Sequence, residues 1–464
     1  MRQPGGILLV SCYELGHQPL GLALPLGFLE AAGFRPEAVD VSREPLNRAR
    51  IASARLAALS VPMHTALRLG VRVAGLIRQE NPSCHICLHG HYAALNADYL
   101  LSGPADSILA GECEASLVDL ACSLEAGRDL SEVSGLSLPH RRAAPIRRRL
   151  RFVVPSRERL RPLANYASLE EESGIRIAGC VQASRGCLHL CRHCPIPPVY
   201  QGRFFVIPRE VVLADIRRQV ELGATHITFG DPDFLNGPGH SLALVAEMHR
   251  LFPFLTFDFT AKIEHLLKHA SLLPKLKDAG CLFVVSAVES LSDRVLNILD
   301  KGHTRRDVET VLDLFQSARL TLRPSLVPFT PWSTPSDYSE LLDFVQERDL
   351  VDAVEPVQFS VRRLIPPGSG LLDQPAMSPH LGALVPESFS YTWKHPDERM
   401  DRLHRRVSSE VEQAAHRREA SEETFLRIRR ICSEIIGRTA PAARSMTETV
   451  LRRHVPRLTE SWFC

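Results

Sequence analysis

Three cysteines within eight residues form the part of the sequence best suited to chemistry. The stretch GCLHLCRHCP, residues 186–195, sets Cys187, Cys191 and Cys194 at C-x3-C-x2-C spacing and adds two histidines. Thiolates held this close in one short loop are typical of a bound metal or cluster. The pattern therefore predicts a metal centre.

Two kinds of metal centre fit this loop. A structural zinc ion needs four nitrogen or sulfur ligands, and His189 or His193 would have to complete the set from the same few residues. A [4Fe-4S] cluster held by three thiolates keeps one iron open for a substrate or cofactor. Because no second cysteine pair lies nearby, the cluster is favoured. A zinc-stabilised binding protein is the alternative, and it would be colourless where a cluster protein is brown.

The composition is that of a globular protein with two or three domains. The chain has 464 residues, of which 45% are hydrophobic and 23% charged, and a net charge of +2. This balance gives no global attraction to nucleic acid or to an anionic membrane. No apolar stretch approaches the ~20 residues that cross a bilayer, and no signal-peptide core begins the chain. We therefore expect a cytosolic protein whose twelve cysteines are thiols or metal ligands.

Residues 1–135 alternate apolar runs, such as GILLVSC and HICLHG, with amphipathic segments. This alternation predicts a Rossmann-like, doubly wound α/β domain with a parallel sheet. Ligands of such sheets bind outside the carboxyl ends of the strands. No G-x-G-x-x-G motif follows the first strand, so dinucleotide binding is unsupported.

Residues 136–172 are rich in arginine and proline and predict a basic linker. Taken alone, the arginines between positions 141 and 161 could form an RNA-binding arm. Because no aromatic side chains are interleaved with them, a solvated linker over the domain junction is the preferred interpretation.

Residues 173–375 show a second alternation, of six β/α repeats, which predicts a partial TIM-type barrel. Chemistry in such barrels takes place at the carboxyl ends of the strands. The cysteine loop follows the first of these strands and is therefore expected at the barrel mouth. Residues 376–464 are predicted to form a helical extension, with two amphipathic helices between positions 397 and 437.

The stretch RGCLHLCRHC after a first barrel strand resembles the cysteine loop of the radical S-adenosylmethionine (SAM) enzymes. The resemblance implies that Cys187, Cys191 and Cys194 hold a [4Fe-4S] cluster whose open iron binds the amino and carboxylate groups of SAM. An electron from the cluster then breaks a carbon–sulfur bond and yields a carbon radical. His193 departs from the aromatic residue that commonly precedes the third cysteine.

The same resemblance implies further contacts to SAM. In FGDPDF, Asp231 or Asp233 would accept hydrogen bonds from the amino group of SAM. Glu289, at the end of VSAVES, resembles the polar residue near the ribose, and Arg323 would meet a carboxylate if its strand register holds. An electron donor such as flavodoxin or ferredoxin is implied as a partner, and a membrane or nucleic-acid partner is not expected.

A Rossmann-like unit joined to such a barrel resembles the cobalamin-binding radical SAM class, and GECEASLVDL resembles its GExE turn. The D-x-H-x-x-G motif that supplies a histidine to cobalt is absent, since His17 has the wrong spacing. Many members of the class bind cobalamin without that histidine. Cobalamin is therefore a candidate cofactor, and a domain retained without it is the alternative.

The segments PVQFSVRRLIPPGSGLL and LTESWFC resemble a subgroup whose chains continue with cysteine or selenocysteine and then Ala-Glu-Pro. This implies a reactive Cys464 and a UGA selenocysteine codon after it. The expected function is radical modification of a small molecule or peptide, with transfer of a 3-amino-3-carboxypropyl group to arsenic as one specific route. Cobalamin-dependent radical methyl transfer and RNA modification are the alternatives.

Overall fold

The computed structural model describes residues 1–437 and 455–460, and two separate sheets organise them. The first is parallel, with strand order β2-β1-β3-β4-β5. From β1 the chain passes to β2 on one side of it and then crosses to β3 on its other side. The topological switch point therefore lies between β1 and β3. The strands are β1 Ile7–Ser11, β2 Glu37–Asp40, β3 Leu56–Ser60, β4 His85–His89 and β5 Ser107–Leu109.

Helices cover both faces of this sheet, which explains why its strands are continuous apolar runs rather than alternating ones. All five side chains of β1 and of β3 are buried. The predicted Rossmann-like, doubly wound domain is therefore confirmed. Its helices are α1 Leu20–Ala31, α2 Arg48–Ser53, α3 His64–Glu80, α4 His91–Leu95, α5 Ala97–Leu101 and α6 Glu114–Ala126.

The second sheet curls into a half barrel with strand order β13-β12-β11-β10-β7-β6-β16. Strands β7 and β10 to β13 are parallel, whereas β6 is antiparallel to β7. The strands are β6 Ser168–Glu171, β7 Gly174–Val181, β10 His226–Phe229, β11 Thr256–Thr260, β12 Cys281–Glu289, β13 Thr321–Leu326 and β16 Arg457–Leu458; a hairpin of β8 Ser184–Gly186 and β9 Phe204–Val206 follows β7. The predicted partial barrel is confirmed.

Helices alternate with the barrel strands along the chain. They are α7 Ile196–Tyr200, α8 Arg209–Glu221, α9 Pro238–Leu251, α10 Ile263–Lys268, α11 Leu273–Asp278, α12 Asp293–Leu299, α13 Arg305–Ser317 and α14 Pro335–Glu347. The sequence predicted a sixth repeat at VEPVQFSVR, but that segment is a 3-10 helix, Pro356–Ser360. A proline at the first helical position favours helix initiation, and pairing there is reduced to one bridge between Phe329 and Arg362.

Strand β16 closes the open side of the half barrel. It pairs with β6 on one side, and the carbonyl of Pro456 accepts a hydrogen bond from Arg323 of β13 at 3.3 Å on the other. Since β16 and β7 are both antiparallel to β6, β16 runs toward the barrel mouth.

The C-terminal extension contains the two expected amphipathic helices, α15 Glu398–Arg417 and α16 Ser421–Ile436. Their apolar faces join the barrel core through buried side chains such as Leu403, Phe425 and Ile428. A hairpin that the sequence did not predict, β14 Leu381–Val385 and β15 Ser390–Trp393, precedes them. Among the described residues no helix has the length and apolar character to span a membrane.

One arginine of the basic linker is buried rather than solvated. Arg157 makes two hydrogen bonds to Asp215 of α8, at 2.6 and 2.8 Å, and donates to Gln18 and to the carbonyl of Cys180. Burying a guanidinium is costly unless its donors are satisfied, and here all three partners come from different parts of the chain. Arg157 thus joins the first domain, the linker and the barrel.

Candidate functional site

The three cysteines lie at the barrel mouth, directly after β8. Cys187 and Cys191 are buried and Cys194 is half-buried. Gly186 must be glycine there, since its φ is +77° and a Cβ atom would stand 2.4 Å from the carbonyl oxygen of Arg203. The amide of Cys194 donates to the carbonyl of Cys191, which forms a tight turn between two thiols.

The loop that follows β10 holds the start of this cysteine loop. Asp231 accepts hydrogen bonds from the amides of Ala183 and Ser184 and from the Ser184 hydroxyl. Asn236 accepts from the amide of Leu188 at 3.2 Å. These contacts use the Asp231 carboxylate to anchor the backbone of the cysteine loop. Asp233 is likewise bound, since it accepts hydrogen bonds from the amides of Leu235 and Lys262.

Asp233 is buried in a group of basic side chains. Its Oδ2 accepts from Nδ1 of His265 at 2.9 Å and lies 3.7 Å from Nε2 of His189. Ligand atoms of these three residues all lie within 4.8 Å of one another, a spacing that a metal ion could bridge. However, Nζ of Lys262 lies 3.1 Å from Nδ1 of His189, and this ammonium opposes a second cation. The group is better suited to binding a polar ligand.

Glu289 is the centre of a second buried charge group. Its carboxylate lies 3.2 Å from Nε2 of His193, 3.6 Å from Nζ of Lys301 and 3.5 Å from Arg363. Burial alone would raise the pKa of Glu289, but its three basic neighbours, His193 foremost, hold that pKa well below the usual range. The residue also has a φ of +67°, a conformation that a glutamate adopts rarely and that is typical of functional sites.

Through His193, this group adjoins Cys194 of the cysteine loop. The structure therefore brings predicted residue Glu289 next to the three cysteines. Lys301 and Arg363 were missed by sequence reasoning, because isolated basic residues in loops carry no local signal.

Arg323 occupies a different position, three residues before the end of β13. Its guanidinium pairs with Glu355 at 2.5 Å and contacts the carbonyl of Pro456. Burial lowers the pKa of Arg323, and the nearby carboxylate of Glu355 acts to raise it. The structure thus places Arg323 at the seam between β13 and β16.

Five buried polar atoms around the mouth have no hydrogen-bond partner within the described residues. They are Nε2 of His189, Nδ1 of His193, Nδ2 of Asn236, Nδ1 of His303 and Nε of Arg363. Folded proteins rarely leave such groups unsatisfied, so a cluster of them indicates a place where a ligand supplies the partners. Together with the three thiols, these atoms fit an iron–sulfur cluster with a polar ligand on it.

The first domain contacts the cysteine loop through the GECE turn. Arg185, two residues before Cys187, makes hydrogen bonds to both carboxylate oxygens of Glu114 and lies 3.4 Å from Glu112. Glu112 also accepts from the hydroxyl of Tyr200 at 2.8 Å. The carboxyl end of the Rossmann-like sheet therefore faces the barrel mouth.

We expect Glu114→Gln to lower the free energy of unfolding by about 2 kcal/mol, because Arg185 keeps its buried position but loses a charged partner. Chemical denaturation would measure this change, and a double-mutant cycle with Arg185→Gln should show coupling between the two positions. The matched control is Glu30→Gln, which breaks an exposed pair with Arg159 between the first domain and the linker and should cost less than about 1 kcal/mol. Equal costs for both variants would contradict the assignment.

The loop after β1 contains His17, the histidine whose spacing does not match the cobalt-binding motif. Here Glu14 turns back to accept from the amide of Gly21 and the hydroxyl of Ser60. Burial lowers the pKa of His17, while the carboxylates of Asp258 and Glu460 act to raise it, so its imidazole lies beside the barrel. The loop therefore fits cobalamin only without a histidine ligand from His17.

Glu14 should make stability depend on pH. Burial raises its pKa from 4.5 to about 7. A raised pKa means that the folded state holds the proton more tightly, so this contribution is complete below about pH 4.5 and is lost as the pH rises through 7. We expect Glu14→Gln to remove this pH dependence. Its effect on the free energy of unfolding should therefore be about 2 kcal/mol more stabilising at pH 8 than at pH 5. Urea unfolding at several pH values tests this, and parallel profiles for both proteins would refute it.

Known proteins resemble this chain in sequence and in fold. The family model described as the Radical SAM superfamily matches residues 181–345. A ribosomal protein uS12 methylthiotransferase RimO of Chlorobium chlorochromatii is 23% identical over 36% of this chain and 40% of its own length. The tRNA-2-methylthio-N(6)-dimethylallyladenosine synthase of Pseudoalteromonas atlantica is 23% identical over 53% of this chain and 50% of its own. The chain thus spans about half the length of these curated relatives or less.

Two solved structures are similar to this chain in fold. The cobalamin-dependent SAM radical enzyme OxsB with aqua-cobalamin bound superposes with a TM-score of 0.67 at 17% identity, over 86% of this chain and 66% of its own. The radical SAM methyltransferase TsrM of Kitasatospora setae gives 0.59 at 18% identity, over 74% and 71%. At these identities the likeness shows a shared fold.

Proposed function

From the radical SAM domain formed by residues 181–345, we propose that this enzyme binds a [4Fe-4S] cluster on Cys187, Cys191 and Cys194 and cleaves SAM reductively to modify a substrate. The observation that carries the proposal is the set of three thiols surrounded by unsatisfied buried polar atoms. A structural zinc site would need a fourth ligand from the same loop, which only the free ring nitrogens of His189 and His193 could supply. His193 lies against Glu289 and His189 against Lys262.

When bound, the cluster supplies the electron that breaks a carbon–sulfur bond of SAM. The chain's own residues would orient SAM for that step. Asp233 is the acceptor for the amino group, because its carboxylate lies at the mouth, 3.7 Å from the unsatisfied Nε2 of His189. Glu289, held ionised by Lys301 and Arg363, is the acceptor for the ribose hydroxyls. Asp231 serves mainly to anchor the cysteine loop.

The substrate is a small molecule or peptide bound between the barrel mouth and the sheet edge of the first domain. The specific route first suggested by the C-terminal resemblance is transfer of a 3-amino-3-carboxypropyl group to arsenic. A second candidate is radical methyl transfer with cobalamin. It is favoured by the contact between the GECE turn and Arg185, because this contact orients the ligand-binding edge of the first sheet toward the barrel mouth. The curated relatives named for tRNA and for ribosomal protein uS12 make RNA or a ribosomal protein an alternative substrate.

Cys464, the predicted reactive residue, lies outside the described residues. Our proposal that it acts in the reaction is supported by the direction of β16, which runs toward the mouth. We expect Cys464→Ser to lower kcat at least about tenfold without changing SAM cleavage in the absence of substrate, because a thiol is lost that takes part after the radical forms. Cys432→Ser, at a buried cysteine of α16, is the control. Equal kcat for Cys464→Ser and the unmodified protein would remove Cys464 from the mechanism.

One experiment distinguishes the routes. The protein is reconstituted anaerobically with iron and sulfide and given SAM and dithionite, and the nucleoside products are separated. 5′-Deoxyadenosine would indicate the adenosyl radical, methylthioadenosine the aminocarboxypropyl route, and S-adenosylhomocysteine methyl transfer. A colourless protein that retains zinc and cleaves no SAM would overturn the proposal.

A further inference from the structure

Two leucines of the cysteine loop face solvent, one residue away from the proposed cluster ligands. The side chains of Leu188 and Leu190 are 45% and 57% exposed. Both lie between Cys187 and Cys191. Gly202 lies against this segment, since a Cβ there would stand 3.5 Å from the carbonyl oxygen of Leu188 and 3.5 Å from the side chain of Leu190. Of the eight large apolar side chains that the described residues leave exposed, two therefore fall in this one loop.

A row of arginines borders these leucines. Arg203 follows Gly202 and donates to the carbonyl of Arg147, while Arg147 donates to the carbonyl of Val199 and to Gln201. These contacts hold Arg147 of the linker segment 147–149 against residues 199–203. The next two residues of that segment, Arg148 and Arg149, are exposed, as is Arg203.

The positive charge of this row is not neutralised. In residues 1–437 and 455–460, Arg147, Arg148, Arg149 and Arg203 form no ion pair with a carboxylate, although Arg159 and Arg161 of the same linker pair with Glu30 and Glu44. An apolar centre with a charged rim is the usual anatomy of a protein interface, and its charge selects the partner and speeds the encounter. Arg192, which lies in the cysteine loop and is not part of this row, is 4.0 Å from the carboxylate of Asp300.

We propose that these residues (Leu188, Leu190, Arg147–Arg149 and Arg203), the basic patch, dock an acidic one-electron carrier protein of the flavodoxin or ferredoxin class. The proposal rests on the proposed function, because the cluster must receive its electron from outside. In the step, the reduced flavin or iron–sulfur centre of the carrier loses one electron and the cluster gains it, and no covalent bond changes. Interfaces of redox partners are small, which suits two leucines and a short row of charges.

An RNA partner is disfavoured by the chemistry of the patch. Single-stranded nucleic acid is held by exposed aromatic side chains that stack on bases, whereas the exposed apolar groups here are leucines. A protein carrier needs only apolar contact and opposite charge. The arginine-rich segment, for which the sequence predicts a solvated linker, is thus assigned a role beside the site.

The test compares a triple variant, Arg148→Glu, Arg149→Glu and Arg203→Glu, with a matched control that reverses three exposed arginines elsewhere: Arg68, Arg72 and Arg405. Binding of a bacterial flavodoxin and of a ferredoxin is measured by surface plasmon resonance at low and moderate salt. We expect at least tenfold weaker binding and a smaller salt dependence for the triple variant, and no change for the control. This readout does not require activity of the reconstituted enzyme.

The second readout separates the proposal from the proposed function. Stopped-flow reduction of the reconstituted protein by reduced flavodoxin should slow at least tenfold in the triple variant, while reduction by dithionite should stay the same. Unchanged binding and unchanged flavodoxin rates would overturn the docking surface. Failure of dithionite to support SAM cleavage in the unmodified protein would refute the proposed function, and flavodoxin binding would still report on the patch.

Discussion

Cys187→Ala is expected to abolish SAM cleavage and to remove most of the bound iron. Two remaining thiolates leave one further iron of the cluster without a protein ligand, and such clusters lose iron during reconstitution. Iron and sulfide analysis, the visible spectrum and nucleoside chromatography would each report the loss. Turnover should fall by more than about 1000-fold, since no other described group can supply the electron.

The control for this variant is Cys122→Ala. Cys122 is half-buried on α6 of the first domain, outside the barrel sheet. It should keep full iron content and activity. Retention of the brown colour and of SAM cleavage in Cys187→Ala would exclude the cysteine loop as the cluster site.

Glu289→Gln should produce the second large effect. The substitution keeps the size of the side chain but removes the charge that Lys301 and Arg363 share, and it leaves two cations buried without a counter-ion. We expect the free energy of unfolding to fall by about 3 kcal/mol. If Glu289 also contacts SAM, kcat/KM for SAM should fall about 100-fold through misplacement of the reacting groups.

Calorimetry and steady-state kinetics separate these two parts of the effect. Glu264→Gln is the matched control, because Glu264 pairs with Lys262 at 3.2 Å from a half-exposed position. It should change stability by less than about 1 kcal/mol. A Glu289→Gln protein that is destabilised but binds SAM normally would restrict Glu289 to a structural role.

Local sequence patterns predicted the parts of the fold that depend on local chemistry. The apolar runs of the first sheet follow from burial on both faces, and C-x3-C-x2-C spacing is a property of one loop. The sixth barrel strand was predicted wrongly because VEPVQFSVR has strand-like apolar residues, while Pro356 sets the backbone for a helical turn. The fixed φ of the proline outweighed the strand propensity of the apolar residues around it.

The site's charge groups could not be predicted in the same way. Arg185 and Glu114 are 71 positions apart, and His193 and Glu289 are 96 apart. Their pairing depends on how two domains and several barrel strands pack, and a single sequence does not encode those distances in any local pattern. The resemblance to radical SAM enzymes led to Glu289 and the two aspartates, but not to Lys301, Arg363 or His265.

The short strand β16 also constrains the order in which the protein can assemble. Its neighbour Glu460 accepts a hydrogen bond from the hydroxyl of Tyr13 at 2.7 Å, across 447 positions of sequence. Contacts of such long range form late, because the entropy of closing the intervening chain must first be overcome. During synthesis at about 5–20 residues per second, the first domain and the strands up to β13 emerge well before residue 457. Throughout that interval the seam between β13 and β6 is uncovered, so the inner wall of the barrel can be reached from the side until β16 pairs.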